Sequence, residues 1–329
     1  MQRVLSGIQP SGSQHVGHLV GALENYVKLQ EGHDAFYMVA DWHALTSKYE
    51  QVAEIWPSTL ELTATFLAVG LDPGRATLFS QSLVKEHAEL HLLFSMVTPL
   101  SWLERVPTYK EKLQNSSADL GSYGFLGYPL LQAADILIYK AHKVPVGEDQ
   151  LFHLELTREV ARRFHFLFQA EVFPEPDAVL TKFPKVPGLD GRKMSKTYGN
   201  AIHLRDTPDE ITHKCTRQMA SDTNRIRKSD PGNPDICPVF EFHKLFSPPE
   251  TVRMVDTECR RAGIGCFDCK KKVADALIGR IEPLRQKIEA HLARPDDLEQ
   301  VLRDGSARAR GVASRTMEDV RAAMKLPRP

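Results

Sequence analysis

Residues 5–23, LSGIQPSGSQHVGHLVGAL, constrain this chain more than any other stretch. Val4 and Leu5 end a short apolar run that predicts a buried strand. Gly7, Pro10 and Gly12 then break the chain into a tight turn. Leu19, Val20 and Leu23 recur at helical spacing, so a helix is expected to start near His18. Strand, glycine-rich turn and helix together make a nucleotide-binding opening, because a helix N-terminus aims backbone N–H groups and partial positive charge at an anion. Gly17 has no Cβ, which lets a flat ring such as adenine lie on the backbone, and His15 and His18 flank it as donors to phosphate oxygens. The bland reading is two surface histidines on a helix cap. With neither G-x-G-x-x-G nor a P-loop sequence, the opening is not a dinucleotide fingerprint.

The segments that follow alternate strand and helix. Residues 35–40 form an apolar run ending in Asp41-Trp42-His43, a second strand with polar groups at its carboxyl end, where open α/β sheets place ligands. Residues 52–69 have amphipathic helical spacing and stop at Gly70; 76–79 predict a third strand and 86–96 another helix. A parallel sheet with right-handed crossovers follows. Residues 99–119 are less regular, and 121–127 read as a mobile or tightly turned loop. Residues 130–139 form a strongly apolar helix carrying one carboxylate, Asp135, which is costly to bury unless hydrogen-bonded. Tyr128 and Gln132, seven and three residues before it, share its helical face, and the three together suit a pocket for a small amphipathic molecule. The bland alternative is an Asp that faces water.

Residues 144–146 predict a further strand, ending in Gly147-Glu148-Asp149-Gln150 just before a helix. There Asp149 suits a ribose hydroxyl and Gln150 an ammonium, though an acidic helix cap explains the same residues. Pro174, Pro176, Pro184 and Pro187 predict an extended connector to Lys193-Met194-Ser195-Lys196-Thr197. Two lysines and a serine on a glycine-flanked loop form a mobile cationic clamp for a departing pyrophosphate.

Beyond residue 200 the pattern is helical: 209–219, 238–246, 270–292, and a helix pair over 296–324 interrupted by Gly305 and Gly311. Lys and Arg number 42, as do Asp and Glu, so no global basic field draws the chain to nucleic acid. RNA contact must come from a local patch such as Arg260, Arg261, Lys270, Lys271 and Lys272, if these are not simply a solvated face. Five cysteines, an odd number, argue against a secreted disulfide framework. Cys237, Cys259, Cys266 and Cys269 suit a structural Zn²⁺ or an iron–sulfur cluster, with buried unligated thiols as the alternative. No secretory pattern opens the chain and no apolar segment reaches the length of a membrane span, so a cytoplasmic protein is expected.

His15-Val-Gly-His18 resembles the HxGH signature of class I aminoacyl-tRNA synthetases and related nucleotidyltransferases. Gly7-Ile-Gln-Pro-Ser-Gly12, Asp41-x-His43, Gln132-Ala-Ala-Asp135, Val146-Gly-Glu-Asp-Gln150 and Lys193-Met-Ser-Lys-Thr197 stand in the order found in tryptophanyl-tRNA synthetases. The chain resembles that dimeric family over nearly its whole length. The resemblance implies an α/β, Rossmann-like parallel-sheet catalytic domain over 1–200. A helical anticodon-binding domain follows over 201–329, its last helix packing back on the first domain. It implies a homodimer, with tRNA(Trp), L-tryptophan, ATP and Mg²⁺ as substrates and cofactor, and no membrane. Asp135 would accept the indole N–H, with His43 near the ring and Gln132 in the pocket; Gln9, Tyr128 and Gln150 would hold the ammonium and carboxylate. Gln9, Pro10, Ser11, Gly17, His18, Gly147, Glu148, Asp149, Lys193, Met194, Ser195, Lys196 and Thr197 would line ATP, with the Val186 backbone near adenine. His15, His18, Lys193 and Lys196 would stabilise the leaving pyrophosphate. Some bacterial members with a similar four-cysteine arrangement carry a [4Fe-4S] cluster, which favours that group over zinc. Two departures stand out: His15 and His18 replace the family's usual Thr and Asn, and Thr197 replaces Ser, keeping the hydroxyl. The rival readings are a tyrosyl-tRNA synthetase, a non-tRNA HxGH nucleotidyltransferase, and a non-catalytic RNA-binding relative. The Q-A-A-D wording, the helical C-terminal module and the intact histidines and lysines speak against each in turn.

Overall fold

The computed structural model describes residues 1–107, 121–180, 186–196 and 198–327. Five strands, β1 (Arg3–Ile8), β2 (Asp34–Val39), β3 (Ala76–Ser80), β4 (Lys143–Val146) and β5 (Asp177–Leu180), form one parallel sheet in the order β3-β2-β1-β4-β5. In chain order the helices are α1 (Val16–His18), a π-helical turn at Leu19–Leu23, α2 (Glu24–Leu29), α3 (Asp41–Lys48), α4 (Ile55–Ala68), α5 (Glu86–Ser95), α6 (Leu100–Glu104), α7 (Tyr123–Ile138) and α8 (Leu151–Phe168). After β5 come α9 (Pro208–His213), α10 (Pro238–Phe246), α11 (Pro249–Arg260), α12 (Cys266–Leu292) and α13 (Pro295–Ala323).

The chain groups into two units: Met1–Gly12 with Ala22–Lys182 and His291–Pro329, and Ser13–Gly21 with Phe183–Ala290. In the first unit β3 is buried along its whole length and β2 nearly so, which is why both read as unbroken apolar runs. The chain runs from β1 outward to β2 and β3, then returns to lay β4 on the other side of β1. Strand order therefore reverses between β1 and β4, the place where open α/β sheets bind ligands. Pro145 offers no N–H to the ladder, and among the described residues the register between β1 and β4 is a single pair, Val4↔Lys143. The sheet is thus loosest at its switch point.

Three expectations need correction. Residues 121–127 were expected as a loop, but α7 begins at Tyr123, capped by the Ser122 hydroxyl, which accepts the Phe125 N–H at 3.2 Å. Burial of Phe125 and Tyr128 outweighs the helix cost of Gly124 and Gly127. The proline-punctuated connector contains β5, an edge strand parallel to β4. Over 296–324 there is one 29-residue helix, α13, rather than a pair. Gly305 does not interrupt it: a Cβ there would collide with the Leu78 carbonyl oxygen, so glycine is what lets α13 lie directly on β3. Ala309, Ala313, Met317 and Val320 continue the buried face of α13 into the core.

In the second unit, antiparallel bridges join His15 to His203 and Pro187 to Lys193. The Val16 N–H donates to the Ile202 carbonyl at 3.0 Å and the Leu204 N–H to that of Gln14 at 2.8 Å. One face of α12 buries Val273, Leu277, Ile281 and Ile288 completely, with Leu284 partly buried beside them.

Candidate active site

Within the first unit, Asp135 sits on α7 at 1% exposure. Its Oδ1 accepts from Gln81 Nε2 at 2.8 Å and from His87 Nδ1 at 2.6 Å; its Oδ2 pairs with His43 Nε2 at 2.7 Å. Burial pushes this carboxyl up, but the hydrogen bonds from His43 and His87 outweigh it and hold the group well below the usual carboxylate range. A carboxylate offers about four acceptor sites. Three are taken, so Oδ2 keeps one for an incoming donor. The chain ends β2 and β3 at this point, which brings His43 (on α3) and Gln81 (just past β3) to the carboxyl edge of the sheet.

The expected convergence of Tyr128 and Gln132 on Asp135 takes a different form. Tyr128 Oη pairs with His153 Nε2 on α8 at 3.0 Å, while the hydrogen-bond partners of Asp135 come from other elements. Gln81 and His87 were missed in the sequence. Both had signals: Gln81 follows a buried strand just as Asp41-Trp42-His43 does, and His87 shares the α5 face of Leu90 and Phe94. Gln9, Pro10 and Ser11 follow the end of β1, where the Ser11 N–H donates to the Gln9 carbonyl at 2.9 Å. Gly147 leads from β4 into a single 3-10 turn, Glu148–Gln150, so these residues flank the switch point; the side chain of Asp149 is outside the described residues.

In the second unit, His15 and His18 stack with ring centroids 3.8 Å apart, and His203 meets His15 edge-on at 6.5 Å. The His15 backbone N–H donates to His18 Nδ1 at 3.4 Å, which leaves Nε2 as the proton-bearing nitrogen of a neutral His18. Burial, then the charge of Lys196 and the neighbouring His203, pushes His15 down to about 3. Burial and His15, followed by Lys196, His203 and Lys193, also hold His18 well below its ordinary value. The histidines are therefore neutral donors set among two lysine charges. A Cβ on Gly17 would stand 2.9 Å from the His15 ring and 3.7 Å from the Met194 sulfur, so the space over Gly17 is walled by those two side chains.

The K-M-S-K loop is held from below by a residue the sequence reading passed over. Asn200, buried, accepts the Ser195 N–H at 2.8 Å and donates to Asp190 Oδ1 at 2.7 Å and to the Lys193 carbonyl at 3.3 Å. The Met194 N–H donates to the Val186 carbonyl at 2.9 Å. Thr197 lies outside the described residues.

Cys237, Cys259, Cys266 and Cys269 line one cavity with Arg225, Val239 and Ile264. Cys237 caps α10, Cys259 is in the last turn of α11, and Cys266 and Cys269 occupy the first turn of α12. Burial and the other three thiols push Cys269 up to about 12. Among the described residues no three His, Cys, Asp or Glu side chains gather closely enough to hold a single metal ion. The expected basic patch is smaller than its sequence: Arg260 pairs with Asp235 and Asp256, and Arg261 with Glu258.

A family model described as class I tRNA synthetases (W and Y) matches residues 1–282. The tryptophan–tRNA ligase of Thermotoga maritima is 53% identical over 327 residues, spanning 98% of this chain and 99% of that protein. Its counterpart from Deinococcus radiodurans is 45% identical over 328 residues, with 98% of each covered. The crystal structure of Campylobacter jejuni tryptophanyl-tRNA synthetase with ADP and tryptophan matches with a TM-score of 0.89 at 31% identity, over 99% of this chain and 100% of that one. The parallel sheet with its switch beside β1, the H-V-G-H and K-M-S-K segments, and likeness along the full length lead to one assignment: this chain belongs to the class I tRNA synthetases of the tryptophan and tyrosine family.

Proposed function

We propose that the protein is a tryptophan–tRNA ligase: it activates L-tryptophan with ATP and transfers it to tRNA(Trp), releasing AMP and diphosphate. The observation that carries this reading is the buried, ionised Asp135 with one acceptor position left on Oδ2. An indole N–H completes that set; phenylalanine has no donor for it and leaves a desolvated lone pair unpaired. His43 sits beside the ring, Gln132 lines the pocket, and Gln9, Tyr128 and Gln150 hold the ammonium and carboxylate.

The substrate carboxylate attacks the α-phosphate of ATP in line, forming the adenylate and releasing pyrophosphate. Positioning and charge stabilisation dominate such a step. His15 and His18, kept neutral, donate hydrogen bonds to phosphate oxygens, while Lys193 and Lys196 offset the negative charge that grows on the leaving group. Gln9, Pro10, Ser11, Gly17, Gly147, Glu148, Asp149, Met194, Ser195 and Thr197 complete the ATP contacts, with Val186 near adenine. Mg²⁺ arrives with the ATP phosphates. A ribose hydroxyl at the tRNA 3′ end then attacks the adenylate carbonyl.

Residues 1–200 are assigned to catalysis and 201–329 to the anticodon, where Lys270, Lys271 and Lys272 offer phosphate contacts. The four-thiol cavity of Cys237, Cys259, Cys266 and Cys269 suits a [4Fe-4S] cluster, with a structural Zn²⁺ as the alternative. Held by Cys237, Cys259, Cys266 and Cys269, such a cluster would cross-link α10, α11 and α12; iron and acid-labile sulfide in equal amounts, lost in Cys266→Ser, test it. Exposed Leu92, Met96, Leu100 and Tyr123 suit a dimer interface with a second copy. Among the described residues no helix is long and apolar enough to cross a membrane.

Tryptophan-dependent ATP–pyrophosphate exchange, with tyrosine as control and Asp135→Ala beside the wild type, tests the reading. Exchange with tryptophan alone, abolished by the substitution, is expected. Exchange with tyrosine alone, or with neither, overturns it.

A further inference from the structure

Asp135 does not act alone, and the groups behind it are as ordered as those in front. His87 is fully buried, and its two ring nitrogens each have one partner: Nδ1 meets Asp135 Oδ1 at 2.6 Å and Nε2 meets the Tyr139 hydroxyl at 2.7 Å. Tyr139 is itself fully buried, stacked on Phe36 with centroids 5.0 Å apart and edge-on to Phe79 at 5.3 Å. Burial, with the charges of Asp135 and Glu86 beside it, pushes that phenol far above its ordinary range, so its proton stays on oxygen. The retained phenol proton sets the direction of the chain of bonds. Tyr139 donates to Nε2, which leaves Nδ1 to carry the N–H directed at the carboxylate. Gln81 supplies the second donor to the same oxygen.

We propose that Tyr139 and His87 form a positioning relay that, with Gln81, saturates Oδ1 of Asp135 and thereby reserves Oδ2 for the ring N–H of the substrate. The inference deepens the tryptophan reading and rests on it. None of the three residues need touch the amino acid. Their work is to hold the carboxylate in one orientation and to keep Asp135 ionised, because taking up a proton would turn an acceptor into a donor. A hydroxyl-bearing or N-substituted ring would then gain relative to indole.

The test compares calorimetric binding of L-tryptophan with that of β-(3-benzothienyl)-L-alanine, in which sulfur replaces the ring N–H, for wild type, Tyr139→Phe, His87→Asn and His87→Leu. Tyr139→Phe keeps the ring and its packing, so it folds even if His87→Leu does not. Asparagine keeps an N–H near the position of Nδ1. The wild type is expected to prefer tryptophan. The preference should fall severalfold in Tyr139→Phe, tenfold or more in His87→Leu, and recover largely in His87→Asn, with ATP affinity unchanged. His87→Leu should also gain an acid limb, binding tryptophan less well as the pH falls, because Asp135 loses a donor that favours its charged form. An unchanged preference in Tyr139→Phe and His87→Leu, with the wild-type preference intact, overturns the relay alone. Equal loss in His87→Asn and His87→Leu also overturns it, since volume and not the N–H would then matter. A wild type without preference overturns the tryptophan reading and the relay together.

Discussion

Replacing Asp135 with asparagine changes one atom and removes one charge, and the surroundings dictate how the amide must sit. Oδ1 accepts from both Gln81 and His87, whereas Oδ2 has only His43, whose ring can turn from donor to acceptor by moving its proton. The amide oxygen therefore stays on the Oδ1 side and the NH2 takes the place of Oδ2. For the fold the loss is moderate. Three charge-assisted hydrogen bonds become neutral ones, at about 1 kcal/mol each, so stability falls by about 3 kcal/mol. For the substrate the loss is larger, because the indole N–H now faces an N–H. The lost charge-assisted bond and the unpaired buried donor together amount to about 3–4 kcal/mol, a fall of about 10²- to 10³-fold in kcat/KM. Pyrophosphate exchange at varied tryptophan and varied ATP separates the two substrates, and urea unfolding reports stability. Exchange within about threefold of wild type would refute the reasoning, as would a loss expressed equally in the KM for ATP.

Other substitutions probe the frame around this site. Asn200→Ala removes the clip under the K-M-S-K loop; with three hydrogen bonds gone, exchange should slow by about tenfold or more while tryptophan binding measured without ATP is unchanged. Gly305→Ala should destabilise by about 2 kcal/mol or more, since backbone of β3 cannot yield, whereas Gly311→Ala, whose Cβ would meet only the tip of Arg315 at 4.0 Å, should stabilise α13 by about 0.5–1 kcal/mol in thermal unfolding. Stability should fall as the pH drops through the histidine range. His15, His18 and His203 titrate below their ordinary value in the fold and near 6.5 when unfolded, so between those limits the unfolded chain binds more protons. The stabilisation is complete above about pH 6.5 and is lost at up to about 1.4 kcal/mol per pH unit per histidine below it. Asp135, depressed in the fold, loses its contribution only at lower pH. A urea midpoint that is flat between about pH 7.5 and about pH 5 would contradict this.

Much of the site was legible before any tertiary information. The turn and helix start around Gly12 and His18, the apolar strands ending in polar residues, and the glycine-flanked K-M-S-K loop are written in neighbouring residues. Periodicity and turn chemistry act over a few residues, so the chain alone determined them, along with Asp135 as a carboxylate that had to find partners. What it could not determine was which partners. His43, Gln81 and His87 stand 92, 54 and 48 residues from Asp135, and they meet only because parallel pairing delivers the carboxyl ends of β2 and β3 to one edge. The same limit explains Gly305. In the sequence it reads as a break in a helix, and only the approach of β3 turns it into the contact that allows the helix to continue. A buried charge announces its need for donors locally, but the sheet's topology decides who answers it.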